Sequence, residues 1–277
     1  MTFNAYETST EGGRPIRCYR FMFDDLSKVF GYTSCDTEQF IDDGTTQVWC
    51  VPVAIKDDGV KFSGDKVADT INITAASEIE PAQWFRRTPP STAVRVTIHD
   101  RHVGDNEFTI TYVGEIREAS FDSPGQVKFA VSEIGASLDR EGLRLCWQRT
   151  CPHTVYDPTN CKVNPVLWQT SIVVTDISAS GITVEGLGGL PDHKFDGGFI
   201  TFEHPVKGSM SLTVRSHVGN TLQIFEGTGD ILPGVSAFVH PGCNHTPDAC
   251  TAFGNYPNYG GVRSLPGKSP FDGNPVF

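Results

Sequence analysis

Apolar and polar residues alternate with a period of two along much of the first half of the chain, from about residue 65 to residue 134. This period is typical of β-strands with one buried face. Turn-forming clusters separate the alternating runs at His102–Asn106 and Asp122–Gly125, which is the spacing of an antiparallel meander or barrel. The apolar members are Val94, Val96 and Ile98, then Phe108, Ile110 and Tyr112, then Val127, Phe129 and Val131.

One short helix is predicted to interrupt these strands at Glu78–Arg87. Ser77 is followed three residues later by Glu80, which is the spacing of a capping box. Pro81 fits the first helical turn because amides there have no intrahelical acceptor. We therefore expect about two helical turns beginning near Ser77.

Strand pairs return in the second half of the chain. The pattern predicts Ile172–Ile177 paired with Ile182–Gly186, and Ser211–Val218 paired with Thr221–Phe225 around a two-residue Gly-Asn turn. Leu138–Gln148 fits either a short helix or a strand. From residue 241 to residue 277 the periodicity disappears among prolines and glycines, so no regular element is predicted there.

These patterns predict a mostly β protein with two β-rich domains of meander or barrel type, residues 1–140 and 141–277. A few short helices and a long irregular C-terminal tail complete the expected fold. The composition agrees, because 28 glycines and 18 prolines in 277 residues favour many turns between short elements. An apolar content of 38% is that of a folded globular chain.

The formal charge of −11 provides no basic surface for nucleic-acid phosphates, which disfavours a general DNA-binding role. No stretch reaches the roughly 18 to 20 apolar residues of a membrane span, and the N-terminus lacks the pattern of a signal peptide. We therefore expect a soluble protein made without a signal peptide. Its eight cysteines should start as thiols in a reducing cytoplasm, so metal ligation competes with disulfide formation.

Two pairs of cysteines lie in turn-rich segments that flank the predicted strands of the second domain. Nine residues lie between Cys151 and Cys161, and six lie between Cys243 and Cys250. Segments that enter and leave an antiparallel sheet commonly end near one another, so the four sulfurs could share one site. The remaining cysteines lack ligand spacing and are expected to be small buried side chains: Cys18, Cys35, Cys50 and Cys146.

Spacing alone leaves four outcomes open for this quartet: a [4Fe-4S] cluster, a zinc ion, disulfides, or no site. Zinc loops usually have only two to four residues between paired cysteines, whereas the longer gaps here suit ligands that reach different irons of a cluster. Arg149 and Lys162 lie beside the first pair and have the sign to offset the charge of a four-thiolate cluster.

An enzymatic interpretation finds little support in the same residues. Cys151 with His153, or Cys243 with His245, contains the two groups of a Cys-His hydrolase. Two residues of separation on a loop define no hydrogen-bond geometry, however, and no oxyanion-hole motif accompanies either pair. The acidic pairs at 42–43 and 57–58 lack the twelve-residue pattern of a calcium loop.

Several of these segments together resemble one family. The chain is similar to the phage BR0599 family in four features. These are the arrangement of the four cysteines, the segment CPHTVYD, the tail segment FGNYPNYGG, and the earlier GVKFSGDKVADTINIT followed by PAQWFR. The resemblance covers most of the chain. Two features depart from the family pattern: Cys146 stands where a small residue without a thiol is expected, and the first-domain cysteines have no counterpart.

The resemblance implies a non-enzymatic virion protein of the tail tip or baseplate of siphovirus-like phages and gene transfer agents. Such proteins form a hub, a homotrimeric ring that closes the tail tube and contacts a distal tail protein and the central fibre. It also implies a structural [4Fe-4S] cluster on Cys151, Cys161, Cys243 and Cys250, with zinc or a cysteine-based redox or hydrolytic tail enzyme as alternatives.

The same resemblance implies assembly in the host cytoplasm and a position at the virion tail tip. DNA would pass through the ring lumen without specific binding, and no membrane span is expected. Because a tail lumen that DNA crosses benefits from repelling phosphate, we expect acidic residues on the inner wall of the ring.

Overall fold

A computed structural model describes residues 7–8, 13–24, 27–42, 44, 46–60, 70–105, 108–137, 146–179, 181–225, 227–228 and 230–265. The chain divides into two compact units. Unit 1 contains residues 1–140 and 206–208, and unit 2 contains residues 141–205 and 209–277. No helix in the described part of the chain is long and apolar enough to cross a membrane.

Within the described residues, unit 1 is built around one nine-stranded sheet with the strand order β3-β4-β2-β1-β7-β8-β9-β6-β5. Most neighbouring strands are antiparallel, and β2 and β4 are parallel. The strands are β1 (Pro15–Phe23), β2 (Val29–Thr33), β3 (Gln39–Asp42), β4 (Gln47–Pro52), β5 (Ile55–Asp57), β6 (Thr70–Ala76), β7 (Val94–His102), β8 (Thr109–Ser120) and β9 (Gln126–Glu133).

The predicted alternation of unit 1 is confirmed in β7 and β9 and only partly in β8. In β7 and β9 all the apolar residues of the pattern are buried in one core. In β8, Tyr112 is buried in that core but Ile110 is 50% exposed. The pairing of β7 with β8 shifts between Ile98 and His99, and such an irregularity changes which face a side chain occupies.

The short helix of unit 1, α1 (Glu80–Trp84), is confirmed, whereas its predicted cap is wrong. The helix begins after Ile79, and no side chain caps it. The backbone carbonyl of Ser77 instead accepts a hydrogen bond from the Gln83 side chain, Nε2 to O 2.9 Å. Trp84 at the end of the helix is fully buried and stacks on Phe23, with ring centroids 4.4 Å apart.

A charged network shows that this sheet curls around its core. Arg17 on β1 forms two hydrogen bonds of 2.7 Å to Asp100 on β7 and two of 2.9 Å to Asp57 on β5. Four strands separate β1 from β5 in the sheet order, so only strong curvature can bring Arg17 and Asp57 together. The Tyr19 hydroxyl also donates to Asp57, at 2.5 Å.

The network fixes the ionised state of Asp57. Burial alone would raise the pKa of this carboxyl, but the hydrogen bonds from Tyr19 and Arg17 and the positive charge of Arg17 outweigh burial and hold the pKa below its usual value. The pKa of Arg17 is raised, chiefly by its hydrogen bond to Asp100. Asp57 therefore stabilises unit 1 as a carboxylate.

Unit 2 contains a closed barrel of six described strands in the order β10-β11-β14-β13-β12-β15. The strands are β10 (Thr170–Ile177), β11 (Gly181–Glu185), β12 (Phe199–His204), β13 (Gly208–Val218), β14 (Thr221–Ile224) and β15 (Ser236–His240). Both predicted pairs, β10 with β11 and β13 with β14, are confirmed. Gly219 in the second turn has φ 58°, which favours a residue without a β-carbon.

The barrel interior is a second apolar core of aliphatic and aromatic side chains. Gly198, just before β12, lies close to the backbone of β15. A β-carbon added to Gly198 would lie 2.0 Å from the carbonyl oxygen of His240. The mostly β fold with a few short helices is confirmed. The alternative for Leu138–Gln148 lies largely outside the described residues.

The segment after the barrel contains more regular structure than predicted. α2 (Pro247–Ala252) and a 3-10 turn at Tyr256–Asn258 follow β15. Thr246 caps α2 by accepting a hydrogen bond from the amide of Ala249, and Pro247 occupies the first turn. The prediction of a wholly irregular tail was therefore wrong, because a Thr-Pro-Asp start is a helix signal of its own. Residues 266–277 lie outside the described part.

Candidate metal centre

The two cysteine segments are connected to the barrel at neighbouring strand ends. Cys151 and Cys161 precede β10, and Cys243 follows β15. β10 and β15 are antiparallel neighbours, with Thr170 at the start of β10 opposite Val239 near the end of β15. The barrel closure thus brings together two segments that lie far apart in sequence.

All four predicted cysteines line one small pocket of unit 2. Its wall also includes His153, Val155, Val163, His245, Phe253 and Asn255. Each of the eight cysteines of the chain is a free thiol, so disulfides do not join the quartet. The structure therefore places Cys151, Cys161, Cys243 and Cys250 around a common space.

The first cysteine segment is a compact loop organised by Asp157. Its carboxylate accepts hydrogen bonds from the side chain of Asn160 at 2.7 Å and from the amides of Asn160 and Thr159, and these bonds lower the pKa of Asp157. The amide of Lys162 donates to the backbone carbonyl of Asp157 at 2.7 Å. Tyr156 and Lys162 adopt positive φ angles of 65° and 60°. The loop turns back so that both of its cysteines face the pocket.

The second segment supplies one cysteine from a loop and one from a helix. Cys243 lies in the irregular stretch after β15, and Cys250 lies on α2, where it is 8% exposed. The two segments are joined directly, because the amide of Cys151 donates to the carbonyl of His245 at 2.9 Å. This bond joins the two segments through their backbones.

Two backbone amides point at cysteine sulfurs. The amide of His245 donates to Cys243 Sγ at 3.4 Å, and the amide of Gly260 donates to Cys151 Sγ at 3.5 Å. Such hydrogen bonds stabilise negative charge on sulfur and recur around thiolate-bound metal centres. The pocket therefore provides hydrogen-bond donors that suit thiolates as well as neutral thiols.

Cys243 and Cys250 are harder to ionise than ordinary thiols. Burial is the main cause that raises the pKa of both, and the negative charge of neighbouring thiolates adds to it; for Cys243 the hydrogen bond from the His245 amide acts in the opposite direction. For Cys250 the contributing neighbours are Cys151, Cys161 and Cys243. A positively charged centre that takes up this charge would favour four deprotonated sulfurs.

A ring cluster connects the pocket to the barrel. The Tyr156 ring packs edge-on against Phe199, His240 and Phe253, with centroid distances of 5.7, 5.9 and 6.0 Å. Its hydroxyl donates to the carbonyl of Pro241 at 2.8 Å. Tyr156 therefore ties the first cysteine segment to the strands that carry the second one. Sequence reasoning assigned Tyr156 no role, although the residue lies in the segment CPHTVYD that contributes to the family resemblance.

The chain after α2 returns across the first segment. The amide of Val262 donates to the carbonyl of Gln148 at 2.8 Å, and Arg149 Nε donates to the carbonyl of Leu265 at 2.8 Å. A β-carbon on Gly260 would lie 2.4 Å from the His153 ring, so glycine is required for this approach. The Nε of Arg149 is thus engaged by backbone, and Lys162 is exposed.

The other four cysteines do not line this pocket. Cys18 and Cys50 are fully buried in unit 1, as predicted, and Cys35 is partly buried there. Cys146 is exposed, so the prediction that it is a buried apolar side chain was wrong. Its neighbour Trp147 is 82% exposed, so neither of these two side chains enters the core.

The side chains that line the pocket offer thiol and imidazole groups as possible ligands. In the described part of the chain, no three His, Cys, Asp or Glu side chains are placed to hold a single metal ion. A zinc ion would need four sulfurs about 2.3 Å from one point, whereas a [4Fe-4S] cluster takes one sulfur at each of four irons. The chemistry of four thiols fits either group, and none of the described residues that line the pocket carries a carboxylate.

The fold and the cysteine pocket together define a two-unit β protein with a thiol-lined C-terminal site. Residues 193–269 match the family described as "Phage conserved hypothetical protein BR0599", which confirms the predicted resemblance. The fold is similar to that of a chain in the virion of a native gene transfer agent (GTA) particle. The TM-score is 0.80 and the identity 15%, with 100% of this chain and 99% of that chain covered. The comparison with curated proteins gives no match.

Proposed function

We propose that this protein is a structural, non-enzymatic virion component that forms the hub of a phage-like tail tip. In this role it closes the tail tube as a homotrimeric ring and joins a distal tail protein to the central fibre. The similarity in fold to a chain of a gene transfer agent virion, over the full length of both chains, carries the proposal. The BR0599 match in unit 2 supports it independently.

We further propose that Cys151, Cys161, Cys243 and Cys250 hold a structural [4Fe-4S] cluster. The convergence of all four on one pocket and the two amides directed at sulfur support this assignment. When bound, the cluster supplies a covalent cross-link between the two cysteine segments. Metal ligation of this kind can contribute folding free energy of about 10 kcal/mol.

A catalytic use of the same thiols has weaker support. A Cys-His hydrolase needs an imidazole that is oriented by a third group and hydrogen-bonded to the thiol. The Nδ1 atoms of His153 and His245 are buried and have no hydrogen-bond partner within the described structure. These rings therefore pack beside the pocket without the orientation that catalysis requires.

The location can be tested on particles that contain the protein. Antibody-linked gold against an exposed epitope of unit 1 should label the tail tip in electron micrographs. Labelling of the capsid or of the tube along its length, or particles that lack the protein, would refute the hub assignment. A strongly basic lumen in the assembled ring would separately refute the expectation of acidic residues on its inner wall.

A further inference from the structure

Asn255 is a buried polar residue between α2 and the following 3-10 turn, and it contacts a cysteine from each segment. It is 9% exposed and lines the thiol pocket. Sequence reasoning did not assign it a role. A buried amide must satisfy two donors and one acceptor group, so its contacts can be followed individually.

The side chain of Asn255 reaches the first cysteine segment. Its Nδ2 donates to the carbonyl oxygen of Cys161 and approaches Cys161 Sγ at 3.8 Å. Its Oδ1 accepts from Nδ2 of Asn258 at 2.7 Å. Since that neighbour supplies a donor, the oxygen of Asn255 must face Asn258, and the amide nitrogen is left to face Cys161.

The backbone of Asn255 holds the second segment. Its amide donates to the carbonyl of Cys250 at 2.9 Å, and its carbonyl accepts from Cys250 Sγ at 3.2 Å. One residue therefore contacts Cys161 and Cys250, which have 88 residues between them in the sequence.

We infer that Asn255 is a positioning residue whose side chain holds Cys161 in place for the cofactor and donates an N–H group to the bound Cys161 sulfur. This inference rests on the proposed function for the identity of the cofactor. An amide is required there because aspartate, with the same shape, has no N–H donor and adds negative charge beside the sulfurs.

The test compares Asn255→Asp with Asn244→Asp. The second change adds the same negative charge in the second cysteine segment, but Asn244 is exposed, does not line the pocket, and only accepts hydrogen bonds from Thr246, which aspartate can also do. Proteins are purified without oxygen, and bound iron is titrated against a chelator of known affinity. Loss of an outer contact to a metal ligand typically weakens metal binding 10- to 100-fold. We expect a loss in this range for Asn255→Asp and parent-like affinity for Asn244→Asp.

A second readout separates positioning from general stability. If Asn255→Asp retains iron, its reduction potential should be lower than that of the parent, because a hydrogen bond to sulfur is lost and negative charge is added. If it retains none, alkylation of Cys161 in metal-free protein should be faster than in Asn244→Asp, because the first cysteine segment loses the donor that holds the Cys161 carbonyl. Parent-like iron affinity and potential in Asn255→Asp, or equal alkylation rates in the two metal-free variants, would overturn the inference.

The two proposals fail in distinguishable ways. If the parent binds no iron, the cluster assignment is wrong, and the alkylation comparison still decides whether Asn255 positions Cys161. If the parent binds iron and Asn255→Asp matches it in affinity and potential, the cluster stands and the role of Asn255 is refuted.

Discussion

Replacing Cys243 by serine removes one of the four sulfurs while leaving the size of the side chain nearly unchanged. The same change at Cys146, an exposed thiol that does not line the pocket, provides the matched control. If the quartet holds a cluster, only Cys243→Ser should lose iron. Unit 2 should then lose the cross-link between its two cysteine segments, while unit 1 keeps its own core.

The size of the effect follows from the loop that the cluster closes. Cys161 and Cys243 have 81 residues between them. Cross-linking a loop of that length removes unfolded-state entropy worth about 4–5 kcal/mol. This is a large share of the 5–15 kcal/mol that typically stabilises a domain. Loss of the link should therefore open the segment after β15 well before the barrel unfolds.

Tryptic cleavage after Arg263 measures that opening. The neighbouring Val262 and Leu265 are both tied to the first cysteine segment by hydrogen bonds, and a protease needs the chain released from such contacts. We expect much faster cleavage in Cys243→Ser than in Cys146→Ser under anaerobic conditions. Equal cleavage rates would refute the view that a shared centre pins this segment.

Two further predictions concern the scaffold. Asp57→Asn should lower the unfolding free energy of unit 1 by about 2–4 kcal/mol near neutral pH, because the Arg17 charge loses a buried partner. The folded-state pKa of Asp57 is lowered, so its contribution is present above the ordinary aspartate pKa of about 3.9 and is lost as the pH falls through the folded value. Urea unfolding at pH 7 and pH 3 should show a smaller pH dependence in Asp57→Asn, and an unchanged dependence would contradict this sign. Gly198→Ala should destabilise the barrel by about 3 kcal/mol or more, since its β-carbon would lie 2.0 Å from the His240 carbonyl. Gly188→Ala, whose β-carbon meets nothing within 4 Å, should unfold like the parent; equal stability of the two variants would contradict the clash.

The parts of the fold that were predictable depend on local patterns. The alternation in β9 and the Gly-Asn turn between β13 and β14 each specify their structure within a few residues. The exposure of Ile110 was not predictable, because it follows from an irregular pairing between two strands. The curl that brings Arg17 to Asp57 likewise depends on the whole sheet.

The candidate site was predictable to a similar degree. The four cysteines stand out by residue type and by their position beside strand pairs, and barrel closure brings them to one pocket. α2 could have been found from the Thr246 and Pro247 start. Tyr156 and Asn255 lie in the segments CPHTVYD and FGNYPNYGG, but their roles could not be predicted because they come from contacts with residues that are distant in the sequence.

The most direct test of the account is a joint determination of iron, acid-labile sulfide and zinc in protein purified without oxygen. Four cysteines around one cubane predict about four irons and four sulfides per chain, little zinc, and loss of both iron and sulfide in Cys243→Ser but not in Cys146→Ser. One zinc per chain, or no bound metal, would contradict the central claim.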